Sequence, residues 1–267
     1  MGSDGPSPLE QVAYLARAES RVRILEALLE SGPATQRDLR TRLDASRTTV
    51  ARSLRSLEET GWVDPEARTY RLTPAGRLVA DSFLDLVDTV RLTEELSEFL
   101  TWFPRSELPF DLARLADAEV TTSDAGDPYA PARTQSEILR TADRVRLFLP
   151  SIDMEGTKLI AEQVTDGGLD AETLIAPDLE ATIESDEYAP LLREKVETGR
   201  SDVYVAESDL GFYLGIADDG TVQIGVEDDD GLPRALVETT DERVREWAEE
   251  TYETYRANAR LKPVGEF

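Results

Sequence analysis

The chain has 267 residues, 40% of them hydrophobic, with 55 acids against 29 bases for a formal charge of −26. It contains no cysteine and no histidine, which removes disulfides, thiolate nucleophiles, imidazole bases and the commonest zinc ligands together. No run of 18 apolar residues occurs, so no membrane span is expected. The opening Met-Gly-Ser-Asp-Gly-Pro lacks the basic start and apolar stretch of a secretory signal, so a cytoplasmic protein is expected.

The length suits two domains. Lys158, Lys195 and Lys262 are the only lysines, and this acidic, lysine-poor composition resembles that of proteins from salt-in halophiles. The charge is uneven. Residues 17–77 hold 12 arginines and 9 acids, a net of +3, whereas residues 101–267 hold 16 bases and 38 acids, a net of −22. A basic island on an acidic chain calls for an anionic partner.

In chain order, Val12, Leu15, Val22, Leu25, Leu28 and Leu29 recur at helical spacing and predict one helix over residues 9–31, stopped by Gly32-Pro33. Thr35 and Asp38 form a capping box that opens a second helix anchored by Leu39 and Leu43. After a short turn at Asp44-Ala45, Ser46 caps a third helix running to Thr60, with Gly61 as its stop. Val50, Leu54 and Leu57 share one face of that helix, and Thr48, Arg52, Arg55 and Glu59 point the other way. Trp62-Val63 and Thr69–Leu72 flank a Pro-containing turn at residues 64–68 and predict a hairpin. Thr73-Pro74 begins a further helix, expected to run to about Phe103.

Helix, helix, turn, helix, hairpin, helix is the plan of a winged helix-turn-helix. The chain resembles that superfamily over roughly residues 9–78, including the ending Leu72-Thr73-Pro74-Ala75-Gly76 after the wing. Double-stranded DNA is the partner this implies. The start of the third helix should meet base edges, which points to Arg47, Thr48, Thr49 and Arg52, with Ser46 and Thr35 also expected at the DNA. Arg37, Arg40 and Arg55 are expected at phosphates, and Arg68 and Arg71 of the wing at backbone or minor groove. In molar salt, phosphate attraction fades, so base reading should dominate and the salt dependence should be shallow. Acids beside the arginines (Glu58, Glu59, Asp64, Glu66) would take up cations there. The length and broad apolar face of the helix from Pro74 predict a homodimer.

Residues 104–133 read as a Pro- and Asp-rich connector, with 121–127 exposed and Glu107–Leu112 partly packed. Beyond it, Thr134 and Glu137 suggest a capping box. Strands are predicted at 144–149, 169–175, 202–205, 212–217, 222–225 and 234–238, and helices at 157–164 and 188–197. A final helix is expected from a Thr239/Glu242 cap to about Leu261. The resulting architecture is α+β or α/β: a DNA-binding domain over 1–73, a linking helix over 74–103, a connector over 104–133 and a mixed α/β sensor domain over 134–267.

The pattern Leu108-Pro109-Phe110-Asp111, Asp117-Ala118, Asp127-Pro128-Tyr129-Ala130-Pro131 and Arg146–Ser151 resembles haloarchaeal winged-helix regulators whose effector region is like that of methanogenesis-regulating proteins. The chain is more distantly similar to TrmB-type regulators. The resemblance implies a homodimer with a sensing C-terminal domain responsive to a small-molecule effector. Ligands of α/β sheets sit beyond the carboxyl ends of strands, where Ser151 and Asp153 follow one strand. Tyr129, Arg133, Lys158 and Tyr213 are the other expected pocket residues. No cofactor or metal is expected, and no catalytic motif selects an enzyme. Two other readings stay open: a winged-helix protein–protein module without specific DNA reading, and a hydrolase of the α/β domain.

Overall fold

The computed structural model describes residues 6–104 and 111–267, so Leu108, Pro109 and Phe110 of the regulator-like pattern lie outside the described residues. The chain forms two compact units, Met1–Arg91 and Leu92–Phe267.

The first unit begins with α1 (Pro8–Ala16) and α2 (Glu19–Ser31), where the apolar periodicity predicts a single helix. Between them Ala18 is extended, at φ −138° and ψ 100°. The Arg21 guanidinium spans the break, lying 3.7 Å from the Tyr14 ring centroid and donating to the Tyr14 carbonyl. Strand β1 (Ala34–Thr35) leads into α3 (Gln36–Leu43) and α4 (Arg47–Glu59). The expected capping box is present: the Asp38 amide donates to Thr35 Oγ1 at 3.2 Å and the Thr35 amide to Asp38 Oδ2 at 3.0 Å. Asp44 closes α3 in the left-handed region at φ 46°.

The hairpin consists of β2 (Val63–Glu66) and β3 (Thr69–Leu72), with β1 on the other side of β3. Its turn is tighter than expected. Pro65 lies within β2, opposite Tyr70, and only Ala67 and Arg68 form the tip. A proline is tolerated there because β2 is an edge strand. Ala67 takes φ 55° to close the loop.

Val50, Leu54 and Leu57 are fully buried together with Leu15, Ile24, Leu39 and Trp62. Each such side chain contributes roughly 1.5–3 kcal/mol. This sum outweighs the propensity differences along α4 and sets the rotation of that helix. Ser53 is also buried and meets Ser20 of α2 at 2.8 Å.

Helix α5 (Pro74–Glu95) is followed by α6 (Ser97–Trp102), so the helix expected to reach Phe103 is interrupted at Leu96, at φ −88° and ψ 8°. Neither glycine nor proline marks the spot. Leu92, Leu96, Phe99 and Phe103 keep a continuous apolar spacing through it, which is why periodicity does not reveal the break.

The second unit is an eight-stranded mixed sheet in the order β11-β7-β6-β5-β8-β9-β10-β4. Its elements are β4 (Glu119–Thr122), α7 (Ala130–Thr141), β5 (Arg144–Leu149), α8 (Met154–Glu162), β6 (Asp170–Ile175), α9 (Glu180–Ile183), α10 (Ala189–Glu197), β7 (Ser201–Val205), β8 (Tyr213–Ala217), β9 (Val222–Glu227), β10 (Pro233–Thr239), α11 (Glu242–Ala257) and β11 (Arg260–Leu261). Strands β5, β6 and β7 are parallel and joined through α8 and α10, and the remaining pairings are antiparallel. One face of the sheet packs Phe148, Leu174, Tyr204 and Leu214 with α6 and α11. The other carries Leu147, Ala171, Ile175 and Val203 toward α7, α8 and α10.

Three local expectations are corrected. The connector over 104–133 contains an edge strand, with Thr121 and Thr122 paired to β10, although none of residues 121–127 is buried. Thr134 lies inside α7, which starts earlier with Pro131 in its first turn. The last helix is capped by Asp241, not Thr239. The Asp241 carboxylate accepts from the amides of Arg243 and Val244 at 2.9 and 3.1 Å, and a charged cap also complements the helix dipole. Arg260-Leu261 leaves the helix to pair with β7.

Gly76 is tightly constrained. A Cβ there would lie 1.8 Å from the Trp62 carbonyl oxygen, so α5 could not approach the base of the hairpin. Gly76→Ala is expected to destabilise the protein by roughly 3 kcal/mol in chemical denaturation. A change within 0.5 kcal/mol would contradict this packing.

Candidate nucleic-acid interface and C-terminal cavity

In the first unit, α4 is positioned by its buried triad and by its cap. Ser46 Oγ accepts from the Thr49 amide at 3.1 Å and lies 2.9 Å from Thr49 Oγ1. The hydroxyls of Ser46 and Thr49 are therefore engaged in the cap, and Thr35 is engaged likewise at α3. Gln36 Nε2 donates to the Arg47 carbonyl at 3.4 Å, which ties the first turn of α3 to the first turn of α4. The two helix N-termini thus lie side by side, a placement that favours anions.

With the apolar triad inward, the helical period turns Thr48, Arg52 and Arg55 outward, and Arg47 is exposed at the start of the same helix. Arg37 and Arg40 are exposed on α3, and Arg68 on the hairpin tip. Among the described residues, no ion pair or side-chain hydrogen bond engages the guanidinium of Arg37, Arg40, Arg47, Arg52, Arg55 or Arg68. Arg71 differs, lying 3.5 Å from Glu66 across the hairpin.

The second unit treats its bases in the opposite way. Arg146 bridges Glu249 and Glu253, Arg234 meets Glu98, Arg245 meets Glu249, and Arg260 holds Glu180 and Glu266. Lys262 is buried with Glu180 at 2.9 Å and Glu184 at 2.5 Å. Burial pulls its ammonium down, but the hydrogen bonds to Glu184 and Glu180 outweigh that and leave its pKa raised. Acids were available to the α3 and α4 arginines too, at Asp38, Asp44 and Glu59, yet the fold leaves the six unpaired.

The second unit also contains a cavity of about 90 Å³, beyond the carboxyl ends of β5 and β6 and beneath α7, α8 and α10. Three of the six residues expected at a ligand site line it: Ser151, Asp153 and Tyr213. The other three do not. Tyr129 is exposed ahead of α7, Arg133 is exposed and paired with Asp127, and Lys158 is exposed on α8.

Each of the three lining residues has an internal partner. Asp153 caps α8, its carboxylate accepting from the Gly156 amide at 2.8 Å. Ser151 Oγ donates to Glu227 at 2.5 Å, and burial raises the Glu227 carboxyl. Tyr213 donates to Gln223 Oε1 at 3.2 Å, and burial moves its hydroxyl well above the usual phenol range. The ring fits because two strand neighbours are glycines. A Cβ on Gly215 would lie 2.4 Å from the Tyr213 hydroxyl, and one on Gly225 3.1 Å from its ring.

Sequence reasoning missed Gln135, Ser136, Thr157, Thr173 and Lys195 of this cavity. Lys195 lies on the buried face of α10 with Ala189 and Leu192, and burial lowers its ammonium to about 8. The signal was a lysine three residues after Leu192, on the apolar stripe instead of the solvent face.

Among the described residues, no helix is long and apolar enough to cross a membrane. Two family models match the chain: the HVO_A0261 N-terminal domain over residues 9–95, and the middle domain of the methanogenesis regulatory protein FilR1 over residues 128–258. The resemblance to regulators of this kind is thereby borne out. No curated protein matches. Among solved structures, TrmBL2, described as an archaeal chromatin protein with a novel mode of DNA binding, is 20% identical over 95% of this chain and 99% of its own, at a TM-score of 0.41. Nuc, a phospholipase D family member from Salmonella typhimurium, is 13% identical over 54% of this chain and 98% of its own, at 0.43. NucT from Helicobacter pylori is 12% identical over 53% and 96%, also at 0.43. Likeness at that level carries no functional weight.

Proposed function

We propose that this chain, which joins an HVO_A0261 N-terminal domain to the middle domain of the methanogenesis regulator FilR1, is a DNA-binding transcription regulator. In this reading it acts as a homodimer, in the cytoplasm, under the control of a small molecule bound in its C-terminal unit. It is not an enzyme, in keeping with a middle domain of regulatory type and with the absence of histidine and cysteine.

The observation that carries the DNA reading is the clustering of Arg37, Arg40, Arg47, Arg52, Arg55 and Arg68, exposed and without an ion pair, on α3, α4 and the hairpin, where most arginines of the second unit meet acids. A cluster of exposed arginines without ion-pair partners in so acidic a protein suits an external anion. Arg47, Thr48 and Arg52 at the start of α4 read base edges in the major groove, with arginine bidentate to guanine worth ~1–3 kcal/mol of discrimination. Arg37, Arg40 and Arg55 hold phosphates, as do the paired N-termini of α3 and α4. Arg68 reaches from the wing, and Arg71 assists only if it leaves Glu66.

The exposed acids Glu59 and Asp64 stand beside this surface and take up cations as DNA approaches. Affinity therefore falls less steeply with salt than about −0.9 per phosphate contact would give. The dimer reading is supported by α5, where Leu78 is 70% exposed and Leu86 is 52% exposed. Leucines so placed on a long helix form a surface that a second copy would cover.

Arg47→Ala with Arg52→Ala is expected to abolish protection of a selected operator while far-UV circular dichroism and Tm stay unchanged. Retained protection would overturn the DNA reading. Leu78→Glu with Leu86→Glu should convert a dimer to a monomer in light scattering. An unchanged mass would remove α5 from the interface.

A further inference from the structure

The C-terminal cavity contains a mismatch that the fold itself does not resolve. Its walls are mostly aliphatic, with Leu147, Leu149, Ile160, Ile175, Leu192 and Val203 around the space. Yet Lys195, only 1% exposed, also lines it, and no hydrogen bond or ion pair engages its ammonium among the described residues. Thr173, on the sheet floor, is 2% exposed, and its hydroxyl has no hydrogen-bond partner. Gln135 of α7 lines the same space.

Burying an ammonium without a counter-charge is costly, and natural folds resolve it with a carboxylate. This chain does so elsewhere, giving Lys262 both Glu180 and Glu184. It has 55 acids to choose from and places none against Lys195. Asp153 is at the cavity but faces solvent, with its carboxylate committed to the α8 cap.

From this geometry we propose that the cavity binds an amphipathic monocarboxylate, its carboxylate on the Lys195 ammonium and Thr173 hydroxyl and its hydrocarbon body against the aliphatic walls. The inference deepens the effector reading above and rests on it for its regulatory meaning. The chemistry of the lining selects against other classes. A sugar would leave most of its hydroxyls unpaired against leucine and isoleucine. A phosphate dianion would meet one cation where it needs two charges balanced. An ammonium lowered to about 8 is still charged at neutral pH and would be drawn back up by a bound carboxylate.

The test uses the full-length protein at neutral pH in concentrated KCl. Calorimetry compares hexanoate and octanoate with hexanol and octanol, on wild type and Lys195→Met. The wild type should bind each acid at least tenfold more tightly than its alcohol. Lys195→Met should lose that preference. It should also raise the Tm of the unliganded protein by ~2–4 °C, because a fitting apolar side chain replaces an unpaired ammonium. Failure of both acids to bind, equal binding of alcohol and acid, or an acid preference that survives Lys195→Met would each overturn the proposal. DNA affinity is read separately. Lys195-dependent binding of octanoate that leaves DNA affinity unchanged supports the cavity assignment and refutes its regulatory role.

Discussion

The burial of Val50, Leu54 and Leu57 in the N-terminal core is the constraint from which the rest of that unit follows. Three apolar side chains at positions i, i+4 and i+7 fix the rotation of α4 about its axis. With that rotation set, Thr48, Arg52 and Arg55 have nowhere to point but outward. The cap at Ser46 fixes where the helix starts, and the contact from Gln36 to the Arg47 carbonyl fixes what stands beside that start. The outward arginines are thus held by a core that does not itself touch them, which lets the reading face vary without loss of the fold.

The second unit follows a different rule, the pairing of buried and half-buried charge. Most of its described arginines meet nearby acids, and Lys262 is sealed between two carboxylates. Against that background two groups of unpaired cations stand out. One lies on the outer surface of α3, α4 and the hairpin, and the other is the single ammonium of Lys195 inside the cavity. Both invite an anion. The first is exposed and multiple, which suits a polyanion. The second is enclosed and solitary, which suits one small acid.

Much of the fold was legible in the sequence where a local rule had a single outcome. The Thr35/Asp38 box, the Ser46 cap and the strand at 144–149 are found as expected. Elements whose cause is tertiary were not legible. The breaks at Ala18 and Leu96 carry no glycine or proline, and the edge strand Glu119–Thr122 exists because β10 offers it a partner. The candidate site divides in the same way. The outward placement of Arg52 and Arg55 follows from helical period alone. Ser151 and Asp153 line the cavity because they follow a strand end, and Tyr213 joins them, whereas Tyr129, Arg133 and Lys158 lie elsewhere. Lys195 was missed because a lysine in an amphipathic helix reads by default as solvent-facing.

The central claim is that α4 reads bases and does not merely attract phosphate. Methylation interference on a duplex enriched by the full-length protein from random sequence tests it most directly. If Arg47 and Arg52 bond guanine edges, N7 methylation of discrete guanines should block binding, because N7 is one of the two major-groove acceptors of a bidentate arginine. No enriched sequence, or an enriched one with no guanine whose methylation matters, would contradict the account.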